Sequence, residues 1–221
     1  CWSRIRARHD ASRASGARRL MIRLVGTLPE KLYVAVSGGA DSMAVLDFLY
    51  RTNRDIRVVH VNHGTAHAEE ASALIEAHCW DKGYNLKTFK LERERDPKES
   101  IEEYWRNERY RIFSDLEGPV ITCHHLDDVI EWYLFSAIHG EGRIMPYERG
   151  NVIRPFLLTP RQILRRWCER KNVPFVEDPG NKDERYMRSI IRHEILQQAL
   201  RVNPCLHKVV FKLVKQKYAL V

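Results

Sequence analysis

The run Tyr33-Val34-Ala35-Val36 breaks off into Ser37-Gly38-Gly39-Ala40-Asp41-Ser42, and no other stretch of the chain restricts its fold so strongly. The β-branched and aromatic residues before the break predict a buried strand. The apolar spacing of Ala44, Val45, Leu46, Phe48 and Leu49 after it predicts the inner face of a helix. The loop between them therefore stands at a helix N-terminus. Unpaired backbone N–H groups and the positive end of the helix dipole favour an anion there, and two glycines let that anion approach the backbone closely. On the glycine pair alone, a tight turn capped by Ser37 or Asp41 would serve equally well.

Six matching positions separate the two readings. Ser-Gly-Gly-x-Asp-Ser resembles the PP-loop of ATP pyrophosphatases, which split ATP into AMP and pyrophosphate to activate a substrate. The terminal Gly-Lys-[Ser/Thr] with which a Walker A loop reaches the γ-phosphate is missing. The resemblance therefore implies cleavage between the α- and β-phosphates, with Ser37, Gly38, Gly39, Ala40, Asp41 and Ser42 holding the nucleotide.

The pattern of strand then helix recurs. Strands are expected over 56–61, 86–91 and 119–123, and helices over 68–82, 100–114 and 127–137. Such alternation predicts an α/β fold: a Rossmann-like parallel sheet with helices on both faces and ligands beyond the C-terminal strand ends, where the strand order reverses. Ser100 with Glu103, and Thr159 with Pro160 and Gln162, match the capping box. Periodicity vanishes from 140 to 154, which reads as a loop long enough to be an active-site flap. Beyond it a short helical extension is expected, ending in a basic amphipathic helix. There Lys208, Lys212, Lys215 and Lys217 interleave with Val209, Val210, Phe211, Leu213 and Val214, a solvated lysine face or an RNA-contact surface. The expected division is an extension foreign to the fold (1–20), a nucleotide-binding domain (21–155) and its helical completion (156–221).

With 221 residues the chain suffices for about one α/β domain. Its formal net charge of +8 suggests nucleic acid, but six Arg against one Asp in the first twenty residues account for five of those charges. That Arg/Ser/Ala-rich segment reads as an expression or upstream-translation scar, or the remnant of a transit peptide. No apolar run approaches the roughly 20 residues that span a bilayer, so no membrane role is expected. The five cysteines form no C-x-x-C pair, which predicts reduced thiols and a cytoplasmic location. Nothing in the sequence bears on oligomeric state.

Two further clusters fall just past strands. In Cys123-His124-His125-Leu126-Asp127-Asp128-Val129-Ile130-Glu131 the acids occupy the first turns of a helix. Asp127 and Asp128 could simply complement the helix dipole, but Asp127 and Glu131 share a face, where like charges repel unless a cation lies beside them. A Mg²⁺ ion or a substrate ammonium group would serve. In His60-Val61-Asn62-His63-Gly64, His63 is a candidate phosphate or ribose contact. On the helix Trp105-Arg106-Asn107-Glu108-Arg109-Tyr110-Arg111, alternating charges read as a solvated face, with Arg109 the exception.

Phe175-Val176-Glu177-Asp178-Pro179-Gly180-Asn181, followed by Tyr186, Arg188, Ile191 and Arg192, completes a set of motifs that resembles the tRNA(Ile)-lysidine synthetase family, in its catalytic N-terminal domain. The other members of the set are the 37–42 loop, the His60–Gly64 turn, Arg109-Tyr110, the His124–Glu131 cluster and Arg154-Pro155. The resemblance implies that ATP adenylates a cytidine in a tRNA anticodon and that free lysine displaces AMP. It also implies catalytic roles for Asp41, Asp127, Asp128, Glu131 and Arg109, Mg²⁺ contacts for Asp41 and Asp128, and phosphate or RNA contacts for Arg188 and Arg192. Departures from the family pattern are Val129, Trp132, His139, Glu141, Ser189 and Thr65-Ala66. Alternatives are another PP-loop enzyme, such as a tRNA thiolase or an amide-forming synthetase, and a non-catalytic nucleotide- or RNA-binding module. A thiolase usually needs paired or catalytic cysteines, which the sequence does not display. The second would not need so many buried charges.

Overall fold

Along β1 (Lys31–Val36), Leu32, Val34 and Val36 face one apolar cluster while Tyr33 and Ala35 face another, as a strand covered on both sides must. The computed structural model describes residues 21–91, 93–177 and 187–218, apart from the side chain of Arg188. The predicted extension at 1–20, Asp178 to Tyr186 of the last motif and the Arg188 side chain thus lie outside the described residues.

Strand β1 is followed by α1 (Ala40–Tyr50), then β2 (Asp55–Asn62), α2 (Ala66–Lys82), β3 (Asn85–Lys90), α3 (Ile101–Ser114), β4 (Val120–Ile121) and α4 (Leu126–Ile138). Next come β5 (Glu148–Arg149), β6 (Val152–Ile153) and α5 (Arg161–Lys171). The sheet runs β3-β2-β1-β4-β6-β5, so the chain moves outward from β1 in one direction and then returns to fill the other side. That reversal falls between β1 and β4. Their C-terminal ends, residues 37–39 and 122–125, open onto one crevice, where a doubly wound sheet binds its ligands.

Two expectations need correction. The segment 140–154 contains structure: β6 pairs in parallel with β4, and β5 pairs antiparallel with β6, so the sheet edge departs from the all-parallel expectation. Two-residue strands carry no period for a sequence reading to detect. Thr159, expected to cap α5, instead donates its hydroxyl to Arg23 O at 2.7 Å and accepts from Arg23 N at 2.9 Å. The N-terminus of α5 is met by Asp127, whose Oδ2 accepts from Arg161 N at 2.8 Å. The other expected cap holds, since Ser100 Oγ accepts from Glu103 N.

The C-terminal part comprises α6 (Met187–Ile190), a π-turn (Ile191–Ile195), α7 (Leu196–Val202) and α8 (Leu206–Lys217). Leu206, Val210 and Val214 of α8 bury against Leu126, Val129 and Ile130 of α4. Lys208, Lys212 and Lys217 remain exposed. This packing carries α8 to the edge of the crevice. Among the described residues, no helix is long and apolar enough to cross a membrane.

Candidate active site

The loop after β1 is braced from within. Ser42 Oγ donates to Gly39 O at 2.9 Å and accepts from Ser37 N at 3.1 Å, so the strand end and the first turn of α1 are tied together. Gly39 occupies the N-cap and has no side chain to satisfy the first N–H groups of α1, which leaves them directed at an incoming anion. The two glycines differ in purpose. Gly38 has φ +81°, and a Cβ there would lie 2.9 Å from Ala71 Cβ and 3.3 Å from Val176 Cγ2; it also accepts a hydrogen bond from Val176 N. A Cβ on Gly39 would meet only Ser37 Oγ at 3.8 Å, so the space above it is open. Gly38 is needed by the fold, whereas Gly39 leaves a cradle.

Across the crevice, at the start of α4, His125 N donates to Asp128 Oδ2 at 2.9 Å, and Asp128 N lies 3.3 Å from His125 Nδ1. The ring of His125 is 3% exposed and is surrounded by carboxylates. Its Nδ1 is 3.2 Å from Asp128 Oδ2 and 3.9 Å from Asp127 Oδ2, and its Nε2 is 3.5 Å from Asp41 Oδ2. Burial alone would favour the neutral ring, but Asp128, Asp41 and Asp127 outweigh it and raise the His125 pKa to about 9. The imidazolium directs its Nδ1–H at Asp128 Oδ2, and the approach of Asp128 N counts as a cap only for the neutral tautomer. His125 therefore joins the nucleotide loop to the acidic helix start. Sequence reasoning gave it no role, as it gave none to Arg161 or His207, although a histidine three residues before an aspartate at a helix start carries the cap spacing.

The acids divide their work. Burial opposes ionisation of Asp127, yet His207, His125 and Arg161 N–H hold its pKa down at about 2. Asp128 is lowered despite its burial, by His125, His124 and Arg192. Glu131 is raised because burial prevails over its bidentate pair with Arg192, at 2.6 and 3.0 Å. A cation expected beside this face is thus present as a protein side chain, Arg192, delivered by the π-turn, and His207 from α8 stands 3.3 Å from Asp127 Oδ1. Asp41 faces His125 and, at 3.3 Å, Arg161 Nε, while its Oδ1 is buried and accepts no hydrogen bond from the described residues.

His63 lies at the same sheet edge, its ring 5.1 Å from that of Trp105. Burial, aided by the charge of Arg109, drops its pKa to about 4, so the ring is neutral, and its buried Nδ1 meets no partner among the described residues. Arg109 donates Nε–H to Trp105 O, and its charge reaches both His63 and Cys123, which places it at the mouth of the crevice. One reading of this helix is corrected: Glu108 is buried between Arg93 and Arg111 and does not belong to a solvated face.

A pH prediction follows from His125. The ring has a pKa of roughly 6.5 when unfolded and about 9 in the fold, so its contribution to stability is complete below about 6.5 and is lost as pH rises through about 9. Thermal unfolding followed from pH 6 to pH 10 should show a loss of about 2–3 kcal/mol that is absent from a His125→Gln variant. Parallel curves for the two proteins would refute the charge assigned to the ring.

A six-stranded, doubly wound sheet with an uncapped glycine loop at its switch point defines a nucleotide-binding class, and the chain belongs to the PP-loop domain family, whose pattern it matches over residues 16–199. Within that class it is similar to the tRNA(Ile)-lysidine synthases of three bacteria. That of Vibrio vulnificus is 32% identical over 182 residues, covering 75% of this chain and 42% of the relative. That of Thermosipho africanus is 30% identical over 212 residues (86% and 49%), and that of Staphylococcus aureus 31% over 187 (76% and 43%). The chain spans less than half the length of these relatives. Among solved structures, a U34-tRNA thiolase from Methanococcus maripaludis, described with its [4Fe-4S] cluster, shares the fold at a TM-score of 0.64 and 16% identity, over 98% of this chain and 79% of that one.

Proposed function

We propose that the chain is the catalytic domain of an ATP-dependent, cytoplasmic tRNA-modifying ligase that adenylates an anticodon cytidine and joins free lysine to it. The observation that carries this reading is the bridge from Asp41 through His125 to Asp128, which sets an open anion cradle against an acidic wall. Backbone N–H groups of residues 38–42 would hold the β- and γ-phosphates, and charge building on the leaving pyrophosphate would fall on fixed dipoles. His63 and Arg109 would contact ribose or phosphate from the adjoining strand end.

A Mg²⁺ ion fits one of its two expected ligands. The buried, unpartnered Oδ1 of Asp41 supports a cation contact, whereas Asp128 already accepts from His125 N and faces its ring. An ion held mainly by phosphate oxygens needs only one or two carboxylates, and would supply neutralisation of the departing charge. Among the described residues, no group of three or more His, Cys, Asp or Glu is arranged to hold a metal ion.

Asp128 and Glu131 would orient the lysine ammonium group, and Glu131, with its pKa raised by burial, would take the proton as the amine attacks. Arg192, paired to Glu131, would keep the two carboxylates apart as they gain and lose charge, in addition to the phosphate or RNA contact expected of it. Arg188 is proposed for RNA on the sequence motif alone. A thiolase chemistry has less support: burial pushes the Cys79 thiol up to about 11 and Cys168 up to about 12, and raises Cys123 as well.

Incubation with labelled ATP, labelled lysine and total tRNA tests the reading. Lysine entering RNA together with AMP release is the expected result. AMP release without lysine transfer would point to another PP-loop enzyme, and no turnover with any acceptor would leave a binding module.

A further inference from the structure

Beside α4 lies a cleft of about 600 Å³ lined by Trp132, Gly142, Arg143, Ile144, Pro146 and Lys217. Both of its walls are anchored. Arg143 N donates to Ser136 Oγ at 2.8 Å and Glu141 N to Ser136 O at 3.0 Å, which ties one wall to α4. A Cβ on Gly142 would lie 2.9 Å from the Tyr133 ring, which would have to shift to admit it, so the loop presses closely on this ring. The other wall hangs from α8: Lys217 Nζ donates to Ile144 O at 3.0 Å, and Tyr218 OH donates to Met145 O at 2.7 Å. Trp132, stacked on Phe135, supplies the floor. Its Nε1–H is buried without an acceptor among the described residues, a cost tolerated where the ring face rather than the N–H is the useful part.

A flat indole beside two cations is the chemistry that takes an unpaired nucleotide: the base stacks on the ring, and its phosphate meets Lys217 and Arg143. We infer that this cleft is a stacking site for an unpaired base of the RNA substrate flanking the reacting nucleotide. The inference rests on the RNA-modifying reading of the neighbouring site. Lys217 keeps protons beyond the one given to Ile144 O, and Arg143 shares its charge with Glu141, so Lys217 carries more of the phosphate attraction.

Fluorescence anisotropy with a labelled RNA hairpin bearing an unpaired, cytidine-containing loop tests the site, with a blunt duplex of the same stem as comparison and neither ATP nor lysine present. Wild-type protein should prefer the hairpin. Trp132→Leu should lose about tenfold in hairpin affinity and keep its weaker affinity for the duplex. Trp132→Phe, which retains a ring, should recover most of the loss, and Lys217→Ala should reduce the salt dependence of binding by about one unit of slope. Melting curves establish that each variant is folded. Equal hairpin binding by wild type and Trp132→Leu, or no preference of wild type for the hairpin, overturns the cleft. These readouts need no turnover, so a chain that forms AMP but binds the hairpin without Trp132 loses only this inference. A chain that forms no AMP yet depends on Trp132 loses only the ligase reading.

Discussion

Asp41→Ala should abolish nearly all release of AMP from ATP while leaving a folded protein. Asp41 is the only acid on the nucleotide loop, its Oδ1 is buried without a hydrogen-bond partner among the described residues, and its Oδ2 meets both His125 and Arg161. Removing it takes negative charge from the point where, on the proposed reading, a cation would help the pyrophosphate leave, and it frees two positive side chains to collapse onto the cradle. Loss of one preorganised electrostatic group at a reacting centre typically costs about 10²–10³-fold in turnover, and the double consequence here places the expectation at or above the upper end. Asp41→Asn keeps the shape and should fail as badly, because the charge is what matters. Labelled-ATP turnover read beside a melting curve checks both variants. An Asp41→Asn protein retaining a tenth of wild-type turnover would remove Asp41 from the chemistry.

The second large effect separates two adjacent glycines. Gly38→Ala forces an L-residue to φ +81° and drives a methyl group against Ala71 and Val176. Strain of this kind costs about 1–3 kcal/mol, and overpacking adds a similar amount. A net loss of about 2–4 kcal/mol is expected, or a drop of about 5–15 °C in Tm for a chain this size. Gly39→Ala has an ordinary backbone (φ −73°) and open space, so its Tm should stay within about 2 °C of wild type. Its added methyl nonetheless stands at the mouth of the cradle, and turnover of ATP should fall by about 10²-fold or more. If Gly39→Ala melts and turns over ATP like wild type, the open space above Gly39 is not where the phosphates lie.

What could be read from the sequence was what is local in it. The loop at 37–42 is six consecutive residues between two strongly periodic segments, and strand, turn and helix all fall where the pattern placed them. The start of α4 was equally legible, because its acids cluster within one turn. The sheet order could be anticipated only as a class, since alternation predicts parallel pairing but says nothing about a two-residue edge strand such as Val152–Ile153. Hidden altogether were the partners that complete the site from a distance. Arg192 reaches Glu131 across 61 positions, His207 reaches Asp127 across 80, and Arg161 reaches Asp41 from the start of another helix. None of these pairs has a spacing that a helix or strand period would generate. Thr159 shows the converse error: a correct local signature was overruled because Arg23, 136 residues earlier, offers its hydroxyl two hydrogen bonds at once.

The partners that the structure brings to the acids change their meaning without moving them. Asp127 spends its charge on the N-terminus of α5 and on His207, which makes it a brace between α4, α5 and α8 as well as a member of the acidic wall. Glu131 already has a cation in Arg192, so its pKa is set by burial against a guanidinium. The wall facing the cradle is therefore built of paired carboxylates, while on the loop Asp41 Oδ1 is buried without a hydrogen-bond donor among the described residues.

The central claim is that the cradle at 38–42 grips the terminal diphosphate, so that the bond broken lies between the α- and β-phosphates. The most direct measurement is the fate of ATP labelled at its α-phosphate, incubated with the protein, Mg²⁺, lysine and tRNA and resolved by chromatography. The label should appear as AMP, in step with pyrophosphate. Label accumulating as ADP, with orthophosphate released, would contradict the account.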